Sequence, residues 1–308
     1  MTTPVTNIIR CARGKHEKLN ILCFFLDGVF EETLLQTGHR FYGSEASYSA
    51  LTIIPNENLY VLPDTFDKIP KDVNFDIVLC NHRESHLQSA RILSDSLHIP
   101  LVTIEHTGAS TKLVEKCQNT IYTSKLVQDK YDGGFLKTMI PYGAEVIKSK
   151  EERNIDLFIY GKFTNTDKGL IQYLQTLNFT TKIGGNNPGI SENMSFEKIK
   201  ENMLQSKVFL NLSYPNFTSS LLLHAMGCGC VVVSNKTELT EHFITHGKTG
   251  FIEKELEKFS SVINQAIDNR EKLSINTQKY IKDNHEMNNI VQQWSKTLFD
   301  ISQQVYIR

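Results

Sequence analysis

Short continuous apolar runs alternate with amphipathic stretches along the whole chain. In the first half, Leu19–Phe25, Leu59–Leu62, Asp76–Cys80, Leu101–Ile104 and Thr120–Thr123 read as strands. Strands that are apolar without alternation are buried on both faces, as in parallel sheets covered by helices. Ser85–His98 reads as a helix between two of them, with Ser89, Ala90, Ile92, Leu93 and Leu97 on one side, and Pro100 opens the next strand. Another helix is expected from Lys125. Pro141-Tyr142-Gly143 and then Lys148 to Asn154 carry no apolar pattern and read as a linker. The rhythm then restarts, with strands at Leu157–Tyr160, Thr180–Ile183, Val208–Leu212 and Cys230–Val233. Helices fall at Gly169–Leu177, Phe196–Gln205 and Ser219–Met226. Along the tail, Met287 to Gln304, Trp294, Leu298 and Ile301 share one helical face. The pattern therefore predicts two doubly wound α/β domains, 1–147 and 148–285. A C-terminal helix, 286–308, is expected to pack back toward the first domain. Ligands of such folds bind beyond the carboxyl ends of the strands, here in a cleft that the two sheets would face.

A length of 308 residues suits two domains of roughly 150. With 40% apolar and 22% charged residues the composition is that of an ordinary globular protein. The densest apolar stretch, Ile21 to Phe30, is broken by Asp27 and Gly28, so no membrane span is expected. Residues 1–18 are polar and carry no apolar signal core. A net charge of −1 provides no global field for nucleic acid. Two local basic groupings, Arg10/Arg13/Lys15/Lys18 and Lys148/Lys150/Arg153, read as solvated surface. The six cysteines are scattered, and Cys228-Gly229-Cys230 has no second Cys/His pair nearby to complete a zinc site. Reduced cysteines fit a cytoplasmic protein.

Two segments carry candidate chemistry. In the run from Tyr160 to Gly169 a strand gives way to a polar loop and then a helix, with Lys162 and Lys168 flanking the loop. A strand-to-helix loop of this kind supplies the cations and backbone N–H groups that a diphosphate needs. Two solvated surface lysines are the plainer alternative. In Ser213 to Val233, a strand is followed by a polar loop and a helix that Thr218 or Ser219 can cap. The helix ends at a Gly-x-Gly break before a buried strand.

This second block resembles the signature of the family 4 glycosyltransferases and their GT-B relatives. Glu241 to Phe251 is similar to the family's Glu-x-Ile-x-x-Gly-x-x-Gly-Phe segment. Gly161-Lys162 and Lys168-Gly169 match its Gly-Arg and Lys-Gly pair. The resemblance covers roughly Asp156 to Ile252. It implies the GT-B fold, two Rossmann-like domains facing a central cleft, with a nucleotide diphospho-sugar, UDP- or GDP-linked, held by the second domain. Lys162, Lys168 and the helix start at Thr218, Ser219 and Ser220 would bind the phosphates, with no metal and no cofactor. The family's two glutamates fall on Asn216 and His224, eight positions apart. Asn216 would contact the donor sugar and His224 the ribose. Lys162 stands for the usual arginine and offers a point charge in place of a fork.

In the first domain, Ile99 to Gly108 looks like the family's strand ending in His-Thr, which places His106 toward the donor. Cys80 to Glu84 is similar to a segment that contributes His82. Lone strand-end histidines are often structural. Leu26 to Glu32 occupies the place of the family's glycine-rich acceptor loop and carries Asp27, Glu31 and Glu32. With Thr37 to Tyr42 it is similar to compact glycosyltransferases of phages and large viruses. Such an origin would place the enzyme in the host cytoplasm.

No Asp-x-Asp triplet occurs, against the metal-dependent GT-A class. The implied reaction is metal-independent, retaining hexosyl or pentosyl transfer to an acceptor hydroxyl entering near Asp27, Glu32, His39 and His82. Charge growing on the diphosphate would be met by the lysines and helix start, and domain closure would exclude water. A sugar, small-molecule or lipid-linked acceptor is favoured, with a hydroxylated DNA base as the alternative. A GT-B epimerase, a phosphorylase and an inactive nucleotide-sugar-binding protein are the rivals of another class.

Overall fold

The computed structural model describes residues 17–25, 28–44, 57–62, 69–81, 84–106, 119–129, 136–149, 152–161, 163–185, 194–212 and 220–304. The chain divides into two compact units, Met1–Tyr142 with Asn288–Arg308, and Gly143–Met287.

In the first unit the central apolar runs form strands with both faces covered. All residues of Asn20–Phe24 (β1) and Ile77–Asn81 (β4) are buried. Arg40–Ser44 (β2), Leu59–Leu62 (β3), Leu101–Glu105 (β5), Asn119–Tyr122 (β6) and Leu136–Met139 (β7) complete a sheet ordered β3-β2-β1-β4-β5-β6-β7. Every pairing in it is parallel. This is the Rossmann order, with a reversal of winding between β1 and β4. Helix Glu84–Leu97 (α2) covers β4 and β5, and Leu87 and Ala90 join the core around Leu22, Val78 and Cys80.

The loop expected at Leu26 to Glu32 is shorter than that. Gly28–Leu35 is a helix (α1) that buries Val29, Phe30, Leu34 and Leu35. Its glycine and acids look like a loop in sequence, but Glu31 is fully buried and bonded within the fold. Strands β2 and β7 also fall where no continuous apolar run marks them. Helix Met287–Ser302 (α10) buries Trp294 and Leu298 completely. Trp294 meets the ring of Phe30 at 5.7 Å, and Ser295 Oγ lies 3.4 Å from His39 Nε2.

The second unit is built on five parallel strands, Ile155–Tyr160 (β8), Thr181–Gly184 (β9), Ser206–Asn211 (β10), Val231–Asn235 (β11) and Gly250–Glu253 (β12). Their order is β12-β11-β10-β8-β9, so winding reverses between β8 and β10. Between the strands run Asn165–Gln175 (α4), Phe196–Gln205 (α5), Ser220–Gly227 (α6) and Glu238–Phe243 (α7). Phe259–Asp268 (α8) and Arg270–Asn284 (α9) follow the last strand, and Lys125–Asp129 (α3) belongs to the first unit. Leu157, Ile159, Val208, Leu210, Val231 and Val233 make the sheet side of the core under α4 and α8.

Helix α6 is buried along all of its residues, and every position except Ser220 and His224 is apolar or glycine. Its end abuts the segment that enters the unit. Ile147 N–H donates to Gly227 O at 3.1 Å, and a Cβ on Gly227 would sit 2.1 Å from Glu145 O. Gly227→Ala is therefore expected to lower unfolding free energy by about 1–3 kcal/mol, the usual range for overpacking. Urea denaturation measures it, and an unchanged midpoint would show that the segment moves aside freely.

Candidate active site

A reversal of winding opens a crevice at the carboxyl edge of a parallel sheet. In the second unit the loops after β8 and β10 leave that edge. Gly161 follows β8 and Gly185 follows β9. Their backbones touch: Gly161 N–H donates to Gly184 O at 3.4 Å, and a Cβ on Gly185 would fall 2.1 Å from Gly161 O. Gly185 also has φ +110°, a conformation that glycine alone adopts without strain. The chain then enters α4 through a capping box. Thr164 Oγ1 accepts from Asp167 N–H at 3.2 Å, and Asp167 Oδ2 accepts from Thr164 N–H at 2.7 Å. Lys168 follows at the end of that first turn, half-buried and without an ion pair among the described residues.

On the other side of the reversal, α6 begins at Ser220 and carries His224 one turn later, on the same face. Both are buried, at 2% and 4% exposure. Among the described residues, neither Ser220 Oγ nor His224 Nε2 has a hydrogen-bond partner. Leaving such a group unpaired costs about 1–3 kcal/mol. The His224 ring meets Phe196 edge-on at 5.0 Å. Burial, helped by the charge of Lys200, pushes its pKa down to about 3. Lys162, Asn216, Thr218 and Ser219 lie outside the described residues.

In the first unit, His106 follows β5 and is held at both nitrogens. Nε2 lies 2.7 Å from Asn81 Oδ1, and Nδ1 lies 2.8 Å from Tyr142 Oη. Asn81 Nδ2 donates to Glu31 Oε1 at 2.6 Å, which leaves Oδ1 as the acceptor facing the histidine. The neutral tautomer that satisfies all of these contacts carries its proton on Nε2 and accepts the Tyr142 hydroxyl at Nδ1. Phe30 seats the ring edge-on at 4.7 Å. Sequence pattern does not mark Asn81, Glu31 or Tyr142 as site residues. Asn81 stands next to His82 at a strand end, the one signal that could have found it. Asp27 and His82 lie outside the described residues. His39 is a fold contact: Nδ1 accepts from Leu19 N–H at 3.3 Å, and burial lowers its pKa.

Residues 144–285 match the family of glycosyl transferases group 1. No curated protein matches the chain in sequence. Among solved structures, HepE of Anabaena in complex with UDP-glucose is similar at 16% identity, covering 91% of this chain and 99% of that one, with a TM-score of 0.72. Sucrose-phosphate synthase of Thermosynechococcus elongatus is similar at 11% identity, covering 91% and 98%, with a TM-score of 0.65. A glycosyltransferase of Rickettsia africae is similar at 13% identity, covering 93% and 99%, with a TM-score of 0.64. The chain has the GT-B fold, and its second unit carries a glycosyl transferases group 1 domain. Its group 1 domain spans β8 to α9, including both sides of the reversal that carries Lys168, Ser220 and His224. Among the described residues, no helix is long and apolar enough to cross a membrane.

The depressed pKa of His224 has a pH consequence. Above pH 6.5 the residue is neutral in both folded and unfolded chains. As pH falls below 6.5 the unfolded chain takes up a proton that the folded chain refuses until about 3, so stability falls with pH in that window. Between pH 7.5 and 5.5 the native protein should lose about 1 kcal/mol more than His224→Gln, given 1.36 kcal/mol per pKa unit. Urea denaturation at the two pH values checks this, and parallel losses would place His224 in contact with water.

Proposed function

We propose that the enzyme moves a hexosyl or pentosyl group from a UDP-linked sugar to an acceptor hydroxyl, with retention of anomeric configuration and without a metal ion. The observation that carries this reading is the pair of orphaned polar atoms on one face of α6, Ser220 Oγ and His224 Nε2, beside the reversal of winding. Native folds rarely leave buried polar groups unpaired. A phosphate at the start of α6 and a ribose one turn further along would satisfy both. Lys168, in the first turn of α4 and without an ion pair among the described residues, supplies a cation for the diphosphate, and Lys162 a second. Helix starts add partial positive charge, so negative charge growing on the leaving diphosphate is met without a divalent ion. That HepE is bound to UDP-glucose, and to UDP and glucose, supports the choice of uridine.

Asn216 is assigned to the donor sugar. His106 is assigned to the same role, with its orientation fixed by Asn81 and Tyr142. Asp27 and His82 are assigned to the acceptor side. A net charge of −1 favours a sugar, small-molecule or lipid-linked acceptor over DNA. The four described cysteines, Cys23, Cys80, Cys228 and Cys230, are free, which suits action in the cytoplasm.

Lys168→Ala should weaken UDP binding by roughly 1.5–3 kcal/mol, the worth of a charge-assisted hydrogen bond. Calorimetry measures this, and unaltered affinity would remove Lys168 from the site. Transfer should persist in EDTA. Loss of activity that Mg²⁺ or Mn²⁺ restores would overturn the metal-free account. Labelled sugar delivered to hydroxymethylated duplex DNA would replace the acceptor assignment.

A further inference from the structure

The second unit has a polar pocket that sugar transfer does not use. It measures about 330 Å³, at the small end of ligand pockets (roughly 300–1,000 Å³), and is lined by Lys148, Glu152, Arg153, Arg270, Ser274 and Gln278 among others. Its place in the fold separates it from the donor crevice. Arg153 precedes β8, and its guanidinium donates to the carbonyls of Met203 at 3.0 Å, of Ser206 and of Cys228, and to Cys230 Sγ at 3.7 Å. These groups gather where β10 and β11 begin, at the amino edge of the sheet. The donor loops leave the carboxyl edge. β8 has 6 residues, and a rise of about 3.3 Å for each puts roughly 20 Å between the edges.

Two features make the pocket cationic, and two more shape its wall. The partners of the half-buried Arg153 are all uncharged: three carbonyls and a thiol whose pKa burial raises to about 11. None of Lys148, Arg153 and Arg270 forms an ion pair with a described residue, so among the described lining residues three cations converge with one carboxylate, Glu152. Arg270, Ser274 and Gln278 lie one turn apart along one face of α9. Gln278 is locked by donating to Ile147 O and Gly227 O, both at 3.1 Å. Gly229 lets the wall close. A Cβ there would fall 2.7 Å from Ser274 Oγ and 3.0 Å from Arg153 Nη2.

We propose that this pocket binds a phosphate monoester of a small polyhydroxy compound, with Lys148, Arg153 and Arg270 on the phosphate and Glu152 and Ser274 on hydroxyls. A bare phosphate would satisfy the cations and leave the acceptor Glu152 unused. Converging unpaired cations are what a dianionic group requires, and arginine presents forked donors to it.

Thermal unfolding tests the site with glycerol 3-phosphate, inorganic phosphate and sodium chloride at matched ionic strength. The native protein, Arg270→Ala and Lys168→Ala are compared, because Arg153→Ala would also break the fold contacts above. Glycerol 3-phosphate should raise Tm saturably in the native protein and in Lys168→Ala. Arg270→Ala should need at least about tenfold more ligand for half the effect, the loss of one charge-assisted contact, with its own Tm in chloride close to native. Half-saturation should come at several-fold lower concentration with the ester than with inorganic phosphate. Equal values would overturn the ester assignment in favour of free phosphate. A rise no larger than chloride gives, or one that Lys168→Ala abolishes and Arg270→Ala keeps, would overturn the pocket itself. The second result would instead assign the anion to the donor site.

Discussion

Parallel strand pairing is the constraint from which the rest follows. Every strand pairing in both sheets is parallel. A parallel neighbour cannot be reached by a tight turn, so successive strands are joined by crossovers that cover a face of the sheet. Both faces are then dry, which is why β1 and β4 are buried along their whole length. Within each sheet, every carboxyl end also points to one edge. There the crossovers must diverge where winding reverses, between β1 and β4 and again between β8 and β10. Chemistry collects at those edges because the backbone there is no longer committed to the ladder.

The two units handle buried polar groups at their edges in opposite ways. In the first, Glu31, Asn81, His106 and Tyr142 form a continuous chain of short hydrogen bonds, seated against Phe30, which is itself pressed by Trp294. Such a network fixes one ring orientation and one tautomer for His106. In the second, Ser220 and His224 carry polar atoms that no described residue satisfies. The first arrangement orients; the second stores unsatisfied bonding capacity next to a helix start. A related contrast marks the amino edge of the second sheet. There Arg153 donates to neutral acceptors and keeps its charge uncompensated.

The strand content was legible because burial on both faces writes itself as unbroken apolar runs. The helix Phe196–Gln205 falls on the residues read from pattern alone, as does the edge strand Leu59–Leu62, although Tyr60 and Val61 are exposed. Pattern failed where a residue's burial depends on a distant partner. Helix α1 looks like an acidic loop until Asn81, 50 positions along the chain, is seen to bond the buried Glu31. Pattern also failed for short strands. Gly43 interrupts β2, and β7 runs Leu136-Lys137-Thr138-Met139, too brief and too polar at its centre to stand out as an apolar run. The candidate site residues that pattern singles out lie just beyond a strand, such as His106, or open the next helix, such as Lys168. Asn81, Glu31 and Tyr142 became visible only once β4, α1 and the chain after β7 were brought side by side.

The histidine at position 224 is consistent with its surroundings in a way that a carboxylate would not be. The residue is 4% exposed, so a charge there would be almost wholly desolvated. The cation acting on this position is Lys200, whose charge helps to depress the imidazole pKa. That lysine is already committed elsewhere. It pairs with Glu145 at 3.0 Å and lies 5.2 Å over the Phe196 ring, whose edge contact with His224 completes the cluster. A glutamate at 224 would have to draw Lys200 away from Glu145 or be buried without a full partner. A neutral imidazole needs neither, and still offers a ring nitrogen for a hydrogen bond. An imidazole in place of a carboxylate thus keeps bonding capacity on α6 while removing a buried charge. In the proposed donor site the electrostatic work then falls to the cations at its rim, with Lys168 free of any ion pair to a described residue.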